Sequence, residues 1–254
     1  MLQAHSRALR PVIAAPSGGN SAIAIDGQVP GVQALKFIIE GGVVARGLLN
    51  SAVIQDNRVT GGIRLGSCHS STVKDNSVFG GIDLGVSPGY CVVDGNTVSD
   101  TGIRFAYSDY LSTFNVISHN VVVGGDILAF EAVRLLNNRV ESNLVEGGSI
   151  KLSAIRSVSD TVIRRNVVRG GGIVLAVLER HGGLIGNTII SNFVSGSGGD
   201  GLFVDSHDGG DTLIRNNTST ENAGCDINDS ATSGVANNTW AGNRFVTKCG
   251  AATD

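Results

Sequence analysis

The chain has 254 residues, 41% of them hydrophobic but only 5% aromatic, with 36 glycines against four prolines. So many glycines beside so few prolines exclude a collagen or a disordered linker and favour short strands joined by tight turns. The formal net charge of −3 gives no basic footprint for nucleic acid, and no apolar run approaches the ~20 residues of a membrane-spanning helix.

Residues 1–30 carry no repeat and are expected to form a cap or an irregular first coil. Within them, residues 1–19 lack the apolar core of a secretory signal. Leu35 to Val44 reads as an early coil, with Glu40 near the place where an asparagine is expected. From there a unit recurs: QDNRVTGGIRLG, KDNSVFGGIDLG, DGNTVSDTGIRF, SHNVVVGGDILA, ESNLVEGGSIKL, RRNVVRGGGIVL. Its anchors are Asn57, Asn76, Asn96, Asn120, Asn143, Asn166, Asn192, Asn217 and Asn243, spaced 19 to 26 residues apart. Three residues before each anchor stands an apolar residue, from Ile54 and Val73 to Ile214 and Trp240. Two residues after the first seven stands a valine, from Val59 to Val194.

Each unit then carries a short alternating segment such as Gly62-Ile63-Arg64-Leu65 or Gly81-Ile82-Asp83-Leu84. Alternation with period two places Ile and Leu inside and the middle residue outside. A unit of this length has room for three short strands and for no useful helix. Each strand then stacks on its equivalent one coil later, about 4.8 Å away. The fold class is therefore all-β, a single-stranded parallel β-helix of about nine to ten coils over residues 31–245, with a tail at 246–254. A leucine-rich repeat has a similar period, but the position five before the asparagine holds Ser71, Cys91, Asn115 or Thr161 where that repeat needs leucine.

The asparagines read as scaffold. A turn between strands tolerates left-handed geometry best with Gly or Asn, and stacked amides can satisfy one another. Cys68 and Cys91 are 23 residues apart and Cys225 and Cys249 are 24 apart, each about one coil. They are either two disulfides between adjacent rungs or four independent thiols. Bridged, they imply an oxidising compartment, and no Cys-x-x-Cys spacing suggests zinc.

Outward positions of the third strand form a row: Arg64, Asp83, Arg104, Leu128, Lys151, Val174, Phe203. Alternating charges in a line suit an acidic polymer, and equally suit a solvated face of ion pairs between rungs. The turns after this strand vary most in length, and variable loops on a regular scaffold are where function tends to sit. They carry Tyr107, Asp109, Tyr110, Glu131, Arg156, Arg180, His181 and His207. Tyr107 and Tyr110 are candidates to stack on sugar rings. The sharpest local signal is Asp205-Ser206-His207-Asp208, a histidine flanked by carboxylates that can orient it as a general base; its alternative is a plain polar turn.

The stack from about residue 35 to 245 resembles the right-handed β-helix superfamily of pectate lyases, polygalacturonases and mannuronan C5-epimerases, on the N-x-V-x-G-G-x-I-x-L repeat and the asparagine ladder. The 205–208 segment is similar to the Asp-Pro-His-Asp/Glu motif of alginate epimerases, with Ser206 in place of proline and Asp200 and Gly201 where a tyrosine is expected. The resemblance implies His207 as acid or base, Asp205 and Asp208 as its carboxylates, and Arg104 or Lys151 as a clamp on the substrate carboxylate. It implies a secreted lyase or epimerase acting on a uronate-containing polysaccharide, in the extracellular space or periplasm. Arg64, Asp83, Glu131, Tyr107, Tyr110 and Phe203 are the further candidates for binding that chain. The alternatives are a non-catalytic glycan- or surface-binding module, and a hydrolase or transferase using a carboxylate pair among Asp83, Asp109 and Glu131. No cofactor is implied; Ca2+ is the candidate metal, without a motif that supports its site. The expected partner is a polysaccharide or oligosaccharide, with neither nucleic acid nor membrane.

Overall fold

The computed structural model describes residues 2–3, 11–17, 20–107, 111–179, 182–205, 210–230 and 237–252. Two residues after each of the first seven ladder asparagines a valine is buried while both its neighbours are partly or fully exposed, so each segment forms a strand with one side inward. Ten such strands, from Val12–Ala14 through Ile38–Glu40, Ser77–Phe79 and Val121–Val123 to Thr218–Thr220, pair in parallel and in chain order. Each marks one turn of a right-handed solenoid of about ten coils. We term this the second face. The first face is the stack of strands before the asparagine, such as Val92–Asp94 on Val116–Ser118. The third face begins with segments such as Ile63–His69 and Ile82–Asp83. Val59, Val78, Val98, Val122, Val145, Val168 and Val194 line one inner column and are buried. Ile63, Ile82, Ile103, Ile127, Ile150 and Ile173 line another.

The asparagine ladder runs unbroken. Asn96 donates both its backbone N–H (2.9 Å) and its Nδ2 (3.0 Å) to Asn120 Oδ1, and Nδ2 also donates to the Val73 carbonyl at 2.9 Å. The same pattern links Asn57 to Asn76 and continues to Asn217 and Asn243. One expectation is corrected. The left-handed residue of each turn is the one before the asparagine: Asp56, Asp75, Gly95, His119, Ser142, Arg165, Ser191, Asn216 and Gly242, with φ between 53° and 66°. The ladder residues are therefore chosen for their amides, not for backbone tolerance.

A second correction concerns the loops. The third strand continues through a bulged corner into a fourth face: Asp126–Leu136 spans 11 residues and Ile150–Ser159 spans 10. Register shifts mark the corner between Ala129 and Ala132, where Glu131 has φ 56°. Segments 67–69, 132–134 and 153–159, expected as loops, are thus largely strand. A second polar column closes this face, since Cys91 N–H donates to Asn115 Oδ1, Asn115 N–H to Asn138 Oδ1, and Thr161 N–H to Asn187 Oδ1.

Before residue 31, Val12–Ala14 pairs with Ile38–Glu40 and Ser21–Asp26 with the strand Gly42–Asn50, in phase with the coils that follow. Both cysteine pairs are bridged, Cys68 to Cys91 and Cys225 to Cys249, with Cα atoms 6.3 and 6.0 Å apart.

Candidate functional site

Because each coil has its strands in the same register, the outward row of the third face is straight. Arg64 pairs with Asp83, Asp83 with Arg104, Arg104 with Leu128, Leu128 with Lys151, Lys151 with Val174, and Val174 with Phe203. The row is also cross-linked. Arg104 donates to the Asp83 carboxylate, whose other oxygen accepts from the Gly85 N–H at 2.9 Å. Lys151 Nζ donates to Asp126 Oδ2 at 2.9 Å, and Asp126 Oδ1 accepts from the Ser149 N–H at 2.7 Å. Arg64, exposed at the head of the row, makes no ion pair among the described residues.

Beside the row lies a cleft of about 340 Å³, lined by Arg64, Asp83, Arg104 and Asp126 over a floor that includes Gly81 and Gly102. Gly102 has φ +90°, and a Cβ there would sit 2.1 Å from the Asp126 carbonyl oxygen. Only glycine lets the chain pass so close, and the missing side chain leaves the cleft open. Asp126 was not singled out from the sequence. Its signal was present, since it stands where Gly62, Gly81 and Gly102 precede the third strand in the three earlier units.

The remaining candidates are spread around this cleft. Phe203 is half-buried at the far end of the row, and Glu131 is exposed at the bulged corner. Tyr107 ends the strand Gly102–Tyr107, its backbone paired with Phe130. Asp205 ends the strand Leu202–Asp205 and pairs with Ala176, on the same face as Lys151 but two coils further on. Tyr110, Asp109, Arg180, His181, Ser206, His207 and Asp208 lie outside the described residues. The insertion at 196–200 is stacked on the next coil: Asp200 accepts from Cys225 N–H and from Asn228 Nδ2, both at 2.7 Å.

The first face holds a separate charged column. Asp94 Oδ1 accepts from Ser118 Oγ at 2.8 Å and lies 2.8 Å from His119 Nδ1, with Lys74 Nζ 3.5 Å from Oδ2. Burial alone would raise this carboxyl, but the hydrogen bonds from His119 and Ser118 and the charges of His119 and Lys74 hold it below the ordinary aspartate value. Glu141 is likewise lowered: burial opposes, but Arg164 and Arg139 prevail. Asp226 is lowered despite burial because the Thr247 and Val246 N–H groups and Asn222 donate to it.

This architecture makes the chain a right-handed parallel β-helix protein. Residues 44–167, just under half of the chain, match the family model described as "Periplasmic copper-binding protein (NosD)". No curated protein matches. Among solved structures the chain is similar to the catalytic domain of a GH87 α-1,3-glucanase variant in complex with tetrasaccharides. The identity is 12% and the TM-score 0.27, over 99% of this chain and 68% of that one. Among the described residues no three His, Cys, Asp or Glu side chains converge, the four cysteines are bridged, and His69 and His119 stand on separate turns.

Proposed function

We propose that the third face binds an acidic polysaccharide, with the Arg64 cleft as its principal subsite. The observation that carries this reading is the row itself. Cations at Arg64, Arg104 and Lys151 stand in one line, and Arg64 at its head has no ion partner among the described residues. A uronate chain carries charge at a regular interval, which suits cations set in line on every second rung, two spacings of about 4.8 Å apart. Arg104 and Lys151 already lean on Asp83 and Asp126, which favours exchange of partners over permanent capture. The two disulfides support work outside the cytoplasm, in the periplasm or beyond the cell.

Titration with polygalacturonate and alginate, against neutral dextran, tests the reading. Binding is expected to be specific to the acidic chains, to weaken with salt, and to fall at least tenfold in an Arg64→Ala/Lys151→Ala variant. Equal binding of dextran, or an undiminished double variant, overturns it.

Lyase or epimerase chemistry is the second reading, favoured by Asp205 ending a strand on this same face. In it His207 moves the sugar C5 proton, Asp205 and Asp208 orient the ring, and the row cations neutralise the substrate carboxylate. Unsaturated product absorbance detects elimination and proton NMR of the uronate detects epimerisation. His207→Ala is expected to abolish either one while leaving binding intact, and a wild-type chain yielding neither product removes this reading alone.

A further inference from the structure

The fourth face carries a cluster that the third-face reading does not use. At its corner with the first face runs a column of left-handed residues: Ser51, Ser70, Tyr90, Phe114, Asn137 and Asp160, with φ between 46° and 57°. Ser, Asn and Asp tolerate this conformation, whereas a bulky aromatic there is an outlier. Tyr90 and Phe114 nevertheless occupy it on adjacent rungs, their rings stacked at 4.8 Å with an interplanar angle of 6°. Both are solvent-facing, at 55% and 44% exposure. Strained backbone that displays apolar surface to water serves neither the turn nor the core.

Phe114 hands over to a cleft on the same face. Its N–H donates to the Leu136 carbonyl in the next coil, and Leu136 lines a groove of about 620 Å³ with Arg134, Arg156, Ser157, Ser159, Glu179 and Ile185. Arg134 is exposed, makes no ion pair among the described residues, and pairs by backbone with Ser157, the neighbour of Arg156. Arg134 and Arg156 thus line one groove from adjacent rungs, one position out of register. The lining supplies one acid, Glu179, with its carboxylate 3.9 Å from Arg156 Nε.

We propose that the fourth face is a second, independent site for an acidic oligosaccharide. The apolar side of a sugar packs on the Tyr90–Phe114 stack, and the carboxylate or sulfate of a neighbouring sugar is held by Arg134 and Arg156 with the Ser157 and Ser159 hydroxyls. An anion held by both arginines gains charge-assisted hydrogen bonds from each. Neutral glycans lack that term, and a bare anion lacks the stack.

The test uses the full chain in the Arg64→Ala/Lys151→Ala background, in which third-face binding is weakened at least tenfold. Calorimetry with a galacturonate hexamer, a heparin hexasaccharide and maltohexaose reads the remaining site. One acidic probe at least is expected to bind one-to-one and more tightly than maltohexaose. Arg134→Gln/Arg156→Gln is expected to weaken it at least tenfold. Tyr90→Ser and Phe114→Asn place residues already found in this column, so they are expected to keep the fold by circular dichroism and melting while weakening binding several-fold. The proposal is overturned if the background variant shows no preference for either acidic probe, or if the arginine variant binds as the background does. Neither result touches the third-face reading, which rests on the loss of affinity between the wild-type chain and the Arg64→Ala/Lys151→Ala variant.

Discussion

The Asn120 side chain closes four hydrogen bonds. Its oxygen accepts from the backbone and the amide of Asn96, and its nitrogen donates to the Val93 carbonyl and to Asn143 Oδ1. All of these groups are buried, and each one left unpaired costs about 1–3 kcal/mol. Asn120→Ala is therefore expected to lower stability by about 3 kcal/mol or more, read as a fall in the urea midpoint. The left-handed residue before a ladder asparagine carries no such load. Asp75 occupies the left-handed position that Gly95 and Gly242 fill in other coils, so Asp75→Gly is expected to change stability by less than about 1 kcal/mol. If both variants lost the same amount, the ladder would not be what fixes the turns.

On the first face the strands Thr72–Lys74 and Val92–Asp94, with His119 just beyond Val116–Ser118, make a polar column whose carboxylate is held below its ordinary value. A depressed folded-state value means stability that is present above the unfolded value and lost as pH falls through the folded one. The loss falls below about pH 4, the ordinary carboxylate range, and Glu141 and Asp226 add to it in the same direction. Asp94→Asn is expected to be less stable than wild type at pH 7 and to show a shallower decline in urea midpoint between pH 5 and 2; parallel declines would sink the assignment. At this scale the sequence was legible wherever one residue type repeats at one offset. The asparagine anchors, the valine column and the outward row of Arg64, Asp83, Arg104 and Lys151 all follow from that. The second polar column was hidden because Ser71, Asn115, Asn138, Thr161 and Asn187 share a role without sharing an identity. The fourth face was read as loops because a bulge at Glu131 breaks the alternation. The Lys151–Asp126 pair was missed because it joins different rows of adjacent coils, a diagonal that no single-row reading shows.

Across the whole molecule each coil touches only its neighbours, so stability is a sum of local and rung-to-rung terms. The two disulfides sit differently in that sum. Cys68–Cys91 lies among coils packed on both sides, whereas Cys225–Cys249 ties the last described strand, Lys248–Gly250, to the coil of Ile227–Asp229. Closing a loop of 23 residues is worth about 3 kcal/mol through the unfolded chain. Removing the inner bridge with Cys68→Ser/Cys91→Ser is therefore expected to lower global stability by about that much. Removing the outer one with Cys225→Ser/Cys249→Ser is expected to act locally, because the strand Lys248–Gly250 pairs with Ile227–Asp229 and the N–H groups of Val246 and Thr247 donate to Asp226, all within the last coil. Hydrogen exchange separates the two. The outer variant is expected to lose protection over 225–250 while Ile117, Val140 and Ile163 at mid-stack keep theirs, and the inner variant to lower protection throughout. Uniform loss in both would mean that the solenoid unfolds as one unit and that the local-sum description does not hold for it.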